Sequence, residues 1–143
     1  MLVSHILRQK GRDVVTVAPT SALAEVARTL AKRKIGAVIV LGSGGEVAGI
    51  LSERDIVAAL ARDGASALTR AANTYMTHSV ATCEETDTIE AIMEIMTEGR
   101  FRHVPVLEQG RLCGIISIGD VVKTRIEESE REASALKQYI SAG

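Results

Sequence analysis

The stretch VAGILSERDIV at residues 47–57 returns as LCGIISIGDVV at residues 112–122. Gly, Ile, Ser, Asp and a closing Val recur at the same spacing, and the apolar positions between them stay apolar. The similarity extends upstream, where residues 16–40 align with residues 82–106. An internal duplication of this kind predicts two similar half-domains.

The length of the chain, 143 residues, corresponds to about one domain. Each half alone is too small to bury much core, so we expect the halves to pack on each other. Only 2% of the residues are aromatic and there is no Trp, so flat side chains for stacking bases are scarce. The net charge of -1 also argues against a polyanion. We therefore expect no nucleic-acid partner.

The sequence favours a cytoplasmic protein without membrane contact. No apolar run approaches the roughly 20 residues that span a bilayer. The N-terminus lacks the order of basic, apolar and small residues of a signal peptide. Cys83 and Cys113 lie at unequal positions in the two repeats and lack C-x-x-C spacing, so we expect reduced core thiols.

Changes in hydrophobic period predict the element order β-α-β-β-α in both halves. Helices are predicted from residues 23 and 89, with Ser21 and Asp87 as N-caps. The predicted strands, given for the first half and then the second, are 14–17, 37–41 and 47–51, and 80–82, 104–107 and 112–116. The glycine-rich segment 42–45 joins two strands, which is typical of a hairpin turn and not of a phosphate-binding loop.

Residues outside the repeated motifs are predicted to be helical. Residues 1–7 and 68–76 are lead-in segments, and a long helix follows Asp120. Its apolar positions follow spacings of four and three, at Val122, Ile126, Ser129, Ala133, Leu136 and Ile140. We predict a first repeat with its lead-in at 1–66, a second repeat with a connector at 67–126 and a C-terminal helical extension at 127–143. This apolar stripe predicts a homodimer.

A strand ending in G-h-h-[S/T]-x-x-D (h, apolar), preceded by a V-P-V strand and an amphipathic helix, resembles the cystathionine-β-synthase (CBS) domain. Two such motifs in tandem resemble a CBS pair, or Bateman module, over residues 14–126. The resemblance implies an α+β fold in which two repeats pack as a pseudo-twofold pair. It also implies a regulatory module that binds AMP, ADP, ATP, S-adenosylmethionine or NAD(H) between the repeats, commonly as a dimer.

The residue types suit a nucleotide independently of the family. Asp55 and Asp120 each lie near a helix start, where a fixed carboxylate can accept hydrogen bonds from both ribose hydroxyls. Ser52 and Ser117 lie three residues earlier, where helix N–H groups also favour a phosphate. The alternative is that these residues only cap their helices. Because the pair recurs in both repeats beside a strand-turn-helix cleft, we favour binding.

Phosphate-binding cations are predicted from the differences between the repeats. By resemblance to adenylate-sensing members, Arg102 and His103 reach phosphates beside one cleft, where the first repeat has Gly36 and Ala37. Arg54 is predicted beside the other cleft, and each of these cations could instead be a solvated surface charge. The full set of predicted nucleotide-binding residues is Thr16, Val17, Ser52, Arg54, Asp55, Val80, Thr82, Arg102, His103, Val104, Pro105, Ser117 and Asp120.

Three classes of function compete. The favoured hypothesis is a regulatory module that senses AMP, ADP, ATP or NAD(H) and signals to a partner in trans. The alternative is a structural or interaction protein whose clefts are empty and whose long C-terminal helix carries the function. An enzyme is the least favoured, because no nucleophile has an obvious base. The three His residues lack ligand-like spacing, so we expect no metal site.

Overall fold

The computed structural model describes residues 1–142, so residue 143 of the predicted C-terminal extension lies outside the described residues. The helices are α1 Val3–Lys10, α2 Leu23–Arg33, α3 Glu53–Asp63, α4 Ala72–Tyr75, α5 Ile89–Gly99 and α6 Ile118–Ala142, and a 3-10 helix spans Gly64–Thr69. The strands are β1 Thr16–Val17, β2 Ala37–Leu41, β3 Val47–Ser52, β4 Cys83–Glu84, β5 His103–Glu108 and β6 Arg111–Ser117. No helix among the described residues is long and apolar enough to cross a membrane.

The strands form two three-stranded sheets of the same topology, β1-β2-β3 and β4-β5-β6. In each sheet the first strand is parallel to the second, and the second is antiparallel to the third. The register also repeats, because Ile39 pairs with Ile50 where Pro105 pairs with Ile115. The predicted α+β fold with two β-α-β-β-α repeats is confirmed.

The two halves pack through their sheets. Ala37, Ile39 and Ile50 of the first half form one buried cluster, and Val80 and Ile115 of the second half pack against it. Burial of these aliphatic side chains between the sheets supplies the apolar core that neither half would bury alone.

Each lead-in segment packs into the core of the other half. Val3 and Leu7 of α1 are fully buried with Ile116 of the second half. Ala72 and Tyr75 of α4 are buried in the core of the first half. The lead-in segments are therefore exchanged between the halves, although the division at residue 66 stays a prediction from the sequence.

Three local predictions were wrong. The strand predicted at 80–82 lies at Cys83–Glu84. Ser21 does not cap α2, since its hydroxyl accepts a hydrogen bond from the Ala18 N–H in the preceding turn. The Asp87 carboxylate accepts from the Glu84 N–H in the same way, and Thr88 caps α5 by accepting from the Ala91 N–H at 3.1 Å. Both predicted caps hold the turn before the helix.

Candidate functional site

The Ser-x-x-Asp pairs form the N-terminal caps of α3 and α6. Asp55 Oδ2 accepts hydrogen bonds from the Ser52 N–H at 2.9 Å and from its hydroxyl at 3.0 Å, and the Asp55 N–H donates to Ser52 Oγ. In the second repeat, Asp120 Oδ2 accepts from the Ser117 N–H at 2.8 Å. The capping interpretation is therefore correct at both positions. It still leaves Oδ1 of each carboxylate for another partner, and the only neighbour found for Asp55 Oδ1 among the described residues is the Thr77 hydroxyl, at 3.4 Å.

A cavity of about 380 Å³ lies beside Asp55, and we call it the first cleft. Its walls come from both halves: the end of β3 and the start of α3, the segment before β4, and the segment before β5. The lining residues are Gly36, Ile50, Ser52, Glu53, Arg54, Asp55, Thr77, Ser79, Val80, Arg100, Phe101, Arg102 and His103. The volume lies in the range of small-molecule sites.

The cations of the first cleft come from opposite repeats. Arg54 lies in the first turn of α3 in the first half, whereas Arg102 precedes β5 of the second half and His103 begins it. All three residues line the same cavity. The prediction that Arg54 lies beside one cleft and Arg102 with His103 beside the other was therefore wrong. The physical reason is that the packed halves bring the segment before β5 against the motif of the first repeat. Three arginines, Arg54, Arg100 and Arg102, and two carboxylates, Glu53 and Asp55, now share one concave surface.

His103 lies between the two Ser-x-x-Asp motifs. Its backbone pairs with Ser117, and its imidazole is close to Gly36, where an added Cβ would lie 3.6 Å from the ring. Burial lowers the pKa of His103, with further lowering by Lys10 and Arg102, while Asp120 and Glu53 oppose this shift. The imidazole is therefore neutral near pH 7.

The surroundings of Ser117 and Asp120, which we call the second cleft, differ from those of Asp55. The Lys10 ammonium lies 2.7 Å from Asp120 Oδ2 and donates to the Ile115 carbonyl at 2.9 Å. Partial burial would raise the pKa of Asp120, but hydrogen bonds from Lys10 and Ser117 and the Lys10 charge lower it. The sequence did not reveal this contact, because Lys10 is distant in sequence from both residues.

Comparison with known proteins identifies the duplicated unit. A family model described as CBS domain matches residues 3–62 and residues 72–127. The chain belongs to the CBS domain family. The two matched segments and the two sheets together make it a tandem CBS pair.

Similar proteins support this assignment. The crystal structure of a CBS-domain containing protein from Agrobacterium tumefaciens is 54% identical, covers 87% of this chain and 99% of that one, and gives a TM-score of 0.85. A CBS domain protein from Pyrobaculum aerophilum, complexed with AMP, is 30% identical over 84% of this chain and 89% of that one, with a TM-score of 0.75. A mitochondrial CBS domain-containing protein of Arabidopsis thaliana is 27% identical over 99% of this chain and 72% of that protein.

The remaining predicted residues lie elsewhere in the CBS pair, except Val80, which lines the first cleft. Val104 and Pro105 are buried in β5, Val17 packs against the core of the first repeat, Thr82 is exposed, and Thr16 lines another cavity with Arg111. The sequence in turn missed Thr77, Ser79 and Phe101. Their only signal is adjacency to predicted residues, since Thr77 and Ser79 precede Val80 and Phe101 precedes Arg102.

Both cysteines of the CBS pair are free thiols, and Cys113 is only partly buried, so the predicted core position does not hold for it. Cys83 is buried, and desolvation raises the pKa of its thiol to about 12. Among residues 1–142, the one group found with three potential metal ligands is Glu85, Glu108 and Cys113, whose ligand atoms lie within 4.8 Å of one another. Arg12 forms an ion pair with Glu85 in this group. Exposed acidic groups of this kind are common without a metal ion.

Proposed function

We propose that this CBS pair is a regulatory module that binds an adenine nucleotide in the first cleft. The observation that carries the proposal is the joining of Asp55 and Arg102, from opposite repeats, across one cavity of about 380 Å³. The carboxylate suits the two hydroxyls of a ribose, and the guanidinium suits a phosphate. A nucleotide that spans the cleft would contact both repeats and so could report its presence through their packing.

The chemistry of the cavity supports a phosphorylated ligand over a neutral nucleoside. Arg54, Arg100 and Arg102 are exposed in the cleft, so their charges are available to an anion. Ile50 and Val80 provide apolar wall for an adenine. The AMP complex of the Pyrobaculum aerophilum relative gives AMP as the first ligand to test. ADP, ATP and NAD(H) share its adenosine and its anionic phosphates and follow in the same screen.

We propose that the module signals to a partner protein in trans. The regulated protein, its pathway and a location in the cytoplasm stay predictions from the sequence. The alternative function is a structural or interaction module with no small-molecule ligand. It is favoured by two apolar grooves, one between α2 and α3 and one between α5 and α6.

Both grooves lie at corresponding positions of the two repeats. Ala27 and Val57 line the first groove, and Met93 and Val122 line the second. Val57 and Val122 are 66% and 52% exposed, which is high for aliphatic residues. We propose that a second copy of the chain covers these grooves in a homodimer.

Asp55→Ala tests the ribose contact. Loss of a charged group that accepts ribose hydrogen bonds costs roughly 2 to 3 kcal/mol, so we expect AMP affinity to fall more than tenfold by calorimetry. Asp55→Asn is the matched variant, since an amide oxygen can still accept the cap bond of α3 while the charge is lost. Unchanged AMP affinity in both variants would refute the ribose contact.

A thermal-shift screen separates the two functions. A ligand that binds only the folded state raises the melting temperature, and the rise grows with the logarithm of the free ligand concentration once that concentration exceeds the dissociation constant. A rise with AMP, ADP, ATP or NAD(H) supports the sensor. If none of these ligands shifts the melting temperature of the intact protein at millimolar concentration, the interaction module is the better description.

A further inference from the structure

The second cleft contains a cation that the chain itself supplies. Lys10 ends α1, and its ammonium bridges the Asp120 carboxylate and the Ile115 carbonyl at 2.7 and 2.9 Å. These two acceptors belong to the repeated motif, where Ile115 corresponds to Ile50 and Asp120 to Asp55. Lys10 therefore holds the groups that would orient a ribose in the second cleft.

In the first cleft, the position that corresponds to Lys10 is occupied by Thr77. There the Thr77 N–H donates to the Ile50 carbonyl at 2.8 Å, and the Thr77 hydroxyl lies 3.4 Å from Asp55 Oδ1. The neutral, weakly engaged Thr77 leaves the Asp55 charge without a cation among its hydrogen-bond partners in residues 1–142. Lys10 instead neutralises Asp120 with a full charge at close range.

Partial burial strengthens the Lys10 contact. The exposed fractions of the Lys10 and Asp120 side chains are 32% and 21%, so the pair is less screened than a fully exposed one. A ligand hydroxyl must compete with this charged hydrogen bond, which is stronger than a neutral one.

We propose that Lys10 acts as an internal occupant of the second cleft, so that each chain binds one nucleotide and not two. Lys10 is then the residue that makes the two clefts unequal. This inference rests on the proposed function, since the single nucleotide is the one in the first cleft. Replacing Lys10 by the residue of the first cleft, Lys10→Thr, should free Asp120 and create a second site.

The experiment is an AMP titration of the intact protein followed by NMR, with the Ser52 and Ser117 amides reporting on the two clefts separately. In the wild-type protein we expect saturable shifts at Ser52 and none at Ser117. In Lys10→Thr we expect saturation at both amides, with affinity at Ser117 raised at least tenfold. Arg8→Thr removes another exposed cation from α1 and should behave as wild type.

The double variant Lys10→Thr, Asp55→Ala removes cross-talk between the clefts. It should bind AMP at Ser117 alone, whereas Asp55→Ala alone should bind at neither amide.

Wild-type binding at Ser52 with no gain at Ser117 in Lys10→Thr would overturn the inference and leave the proposed function intact. Binding at Ser117 in the wild type that weakens in Lys10→Thr would overturn it too, by making Lys10 a ligand contact. Binding of AMP only after Lys10→Thr would uphold the inference and refute the first cleft as the natural site. No AMP binding in any variant would overturn both.

Discussion

Arg102 and Arg54 lie on opposite repeats but line one cavity. If Arg102 contacts a phosphate, then Arg102→Glu replaces an attraction to the phosphate charge by a repulsion. A nucleoside carries no phosphate, so its binding should not depend on this charge. We expect AMP affinity to fall about tenfold or more and adenosine affinity to change by less than about threefold, by calorimetry. Arg111→Glu, at an exposed cation outside the first cleft, is the control. Equal losses for AMP and adenosine would show that Arg102 supports the fold or the adenine.

His103 should make phosphate binding depend on pH. Burial, Lys10 and Arg102 hold its pKa below the ordinary value of 6.5, against the opposing charges of Asp120 and Glu53. A bound phosphate favours the imidazolium and raises this pKa, so binding takes up a proton. The affinity of the wild type relative to His103→Gln should therefore rise as the pH falls below 6.5.

The His103 comparison is made at each pH because AMP also titrates, with a second phosphate pKa of about 6. His103→Gln retains a polar side chain and reports the contribution of the ligand alone. A ratio of affinities that stays constant between pH 7.5 and 5.5 would place the phosphate away from His103.

Repetition made some site residues predictable from the sequence. Ser52 and Asp55 were found because the same pair recurs as Ser117 and Asp120 at the same place in the motif. Lys10 could not be found in this way, since the first cleft has Thr77 in the corresponding place and no shared residue type marks the position. Its role depends on a contact between residues 110 positions apart.

The motif glycines are explained by the elements that pack on them. A Cβ at Gly49 of β3 would lie 2.7 Å from both Met76 Sδ and the Thr77 carbonyl oxygen. A Cβ at Gly114 of β6 would lie 2.8 Å from Leu7 Cδ2. Each glycine therefore lets the lead-in segment of one half approach the strand of the other.

These contacts predict unequal effects of adding a methyl group. Gly49→Ala meets backbone, which cannot rotate away, and should lower the free energy of unfolding by about 1 to 3 kcal/mol. Gly114→Ala meets the end of a leucine side chain, which can change rotamer, and should cost less. Urea unfolding of the two variants measures the difference. A loss for Gly114→Ala as large as that for Gly49→Ala would contradict this account.

Helix starts were harder to predict than helix existence. The amphipathic spacing of α2 and α5 located both helices, but several polar residues before each could serve as the cap. In the structure, the first residue of each helix is fixed by a hydrogen bond to a distant lead-in segment. The Leu23 N–H donates to the Arg70 carbonyl and the Ile89 N–H donates to the Met1 carbonyl, each at 2.9 Å. A single sequence does not show which lead-in segment meets which helix, so Ser21 and Asp87 were each placed too early.

The exchange of lead-in segments ties the two halves into one folding unit. Because α1 supplies Val3 and Leu7 to the second core, and α4 supplies Ala72 to the first, neither repeat has a complete core of its own. The element order predicted the two repeats, but not this exchange, since periodicity describes local structure only. The exchange also places residues beside the two clefts. Lys10 ends α1 and lies beside Asp120, whereas Thr77 follows the lead-in segment 68–76 and lies beside Asp55.

Among residues 1–142, α6 carries a long apolar stripe that the rest of the chain does not cover. Beyond the last repeated residues, Leu136, Tyr139 and Ile140 of α6 are 59%, 79% and 67% exposed, and they continue the groove lined by Val122 and Ile126. A stripe of this extent favours association with another surface. The opposite side of α6 carries charged residues that stay in water.

Truncation after Arg125 tests whether α6 forms the dimer interface. The truncation removes Ile126 and the exposed residues beyond it, so we expect a shift of mass towards the monomer by light scattering. Val122→Glu should act in the same direction, because it places a charge in the groove between α5 and α6. Lys123→Glu changes an exposed residue that does not line this groove and serves as the control. If the truncated protein remains as oligomeric and as stable as the intact one, then α6 lies outside the interface, and a monomeric intact protein would rule out the dimer itself.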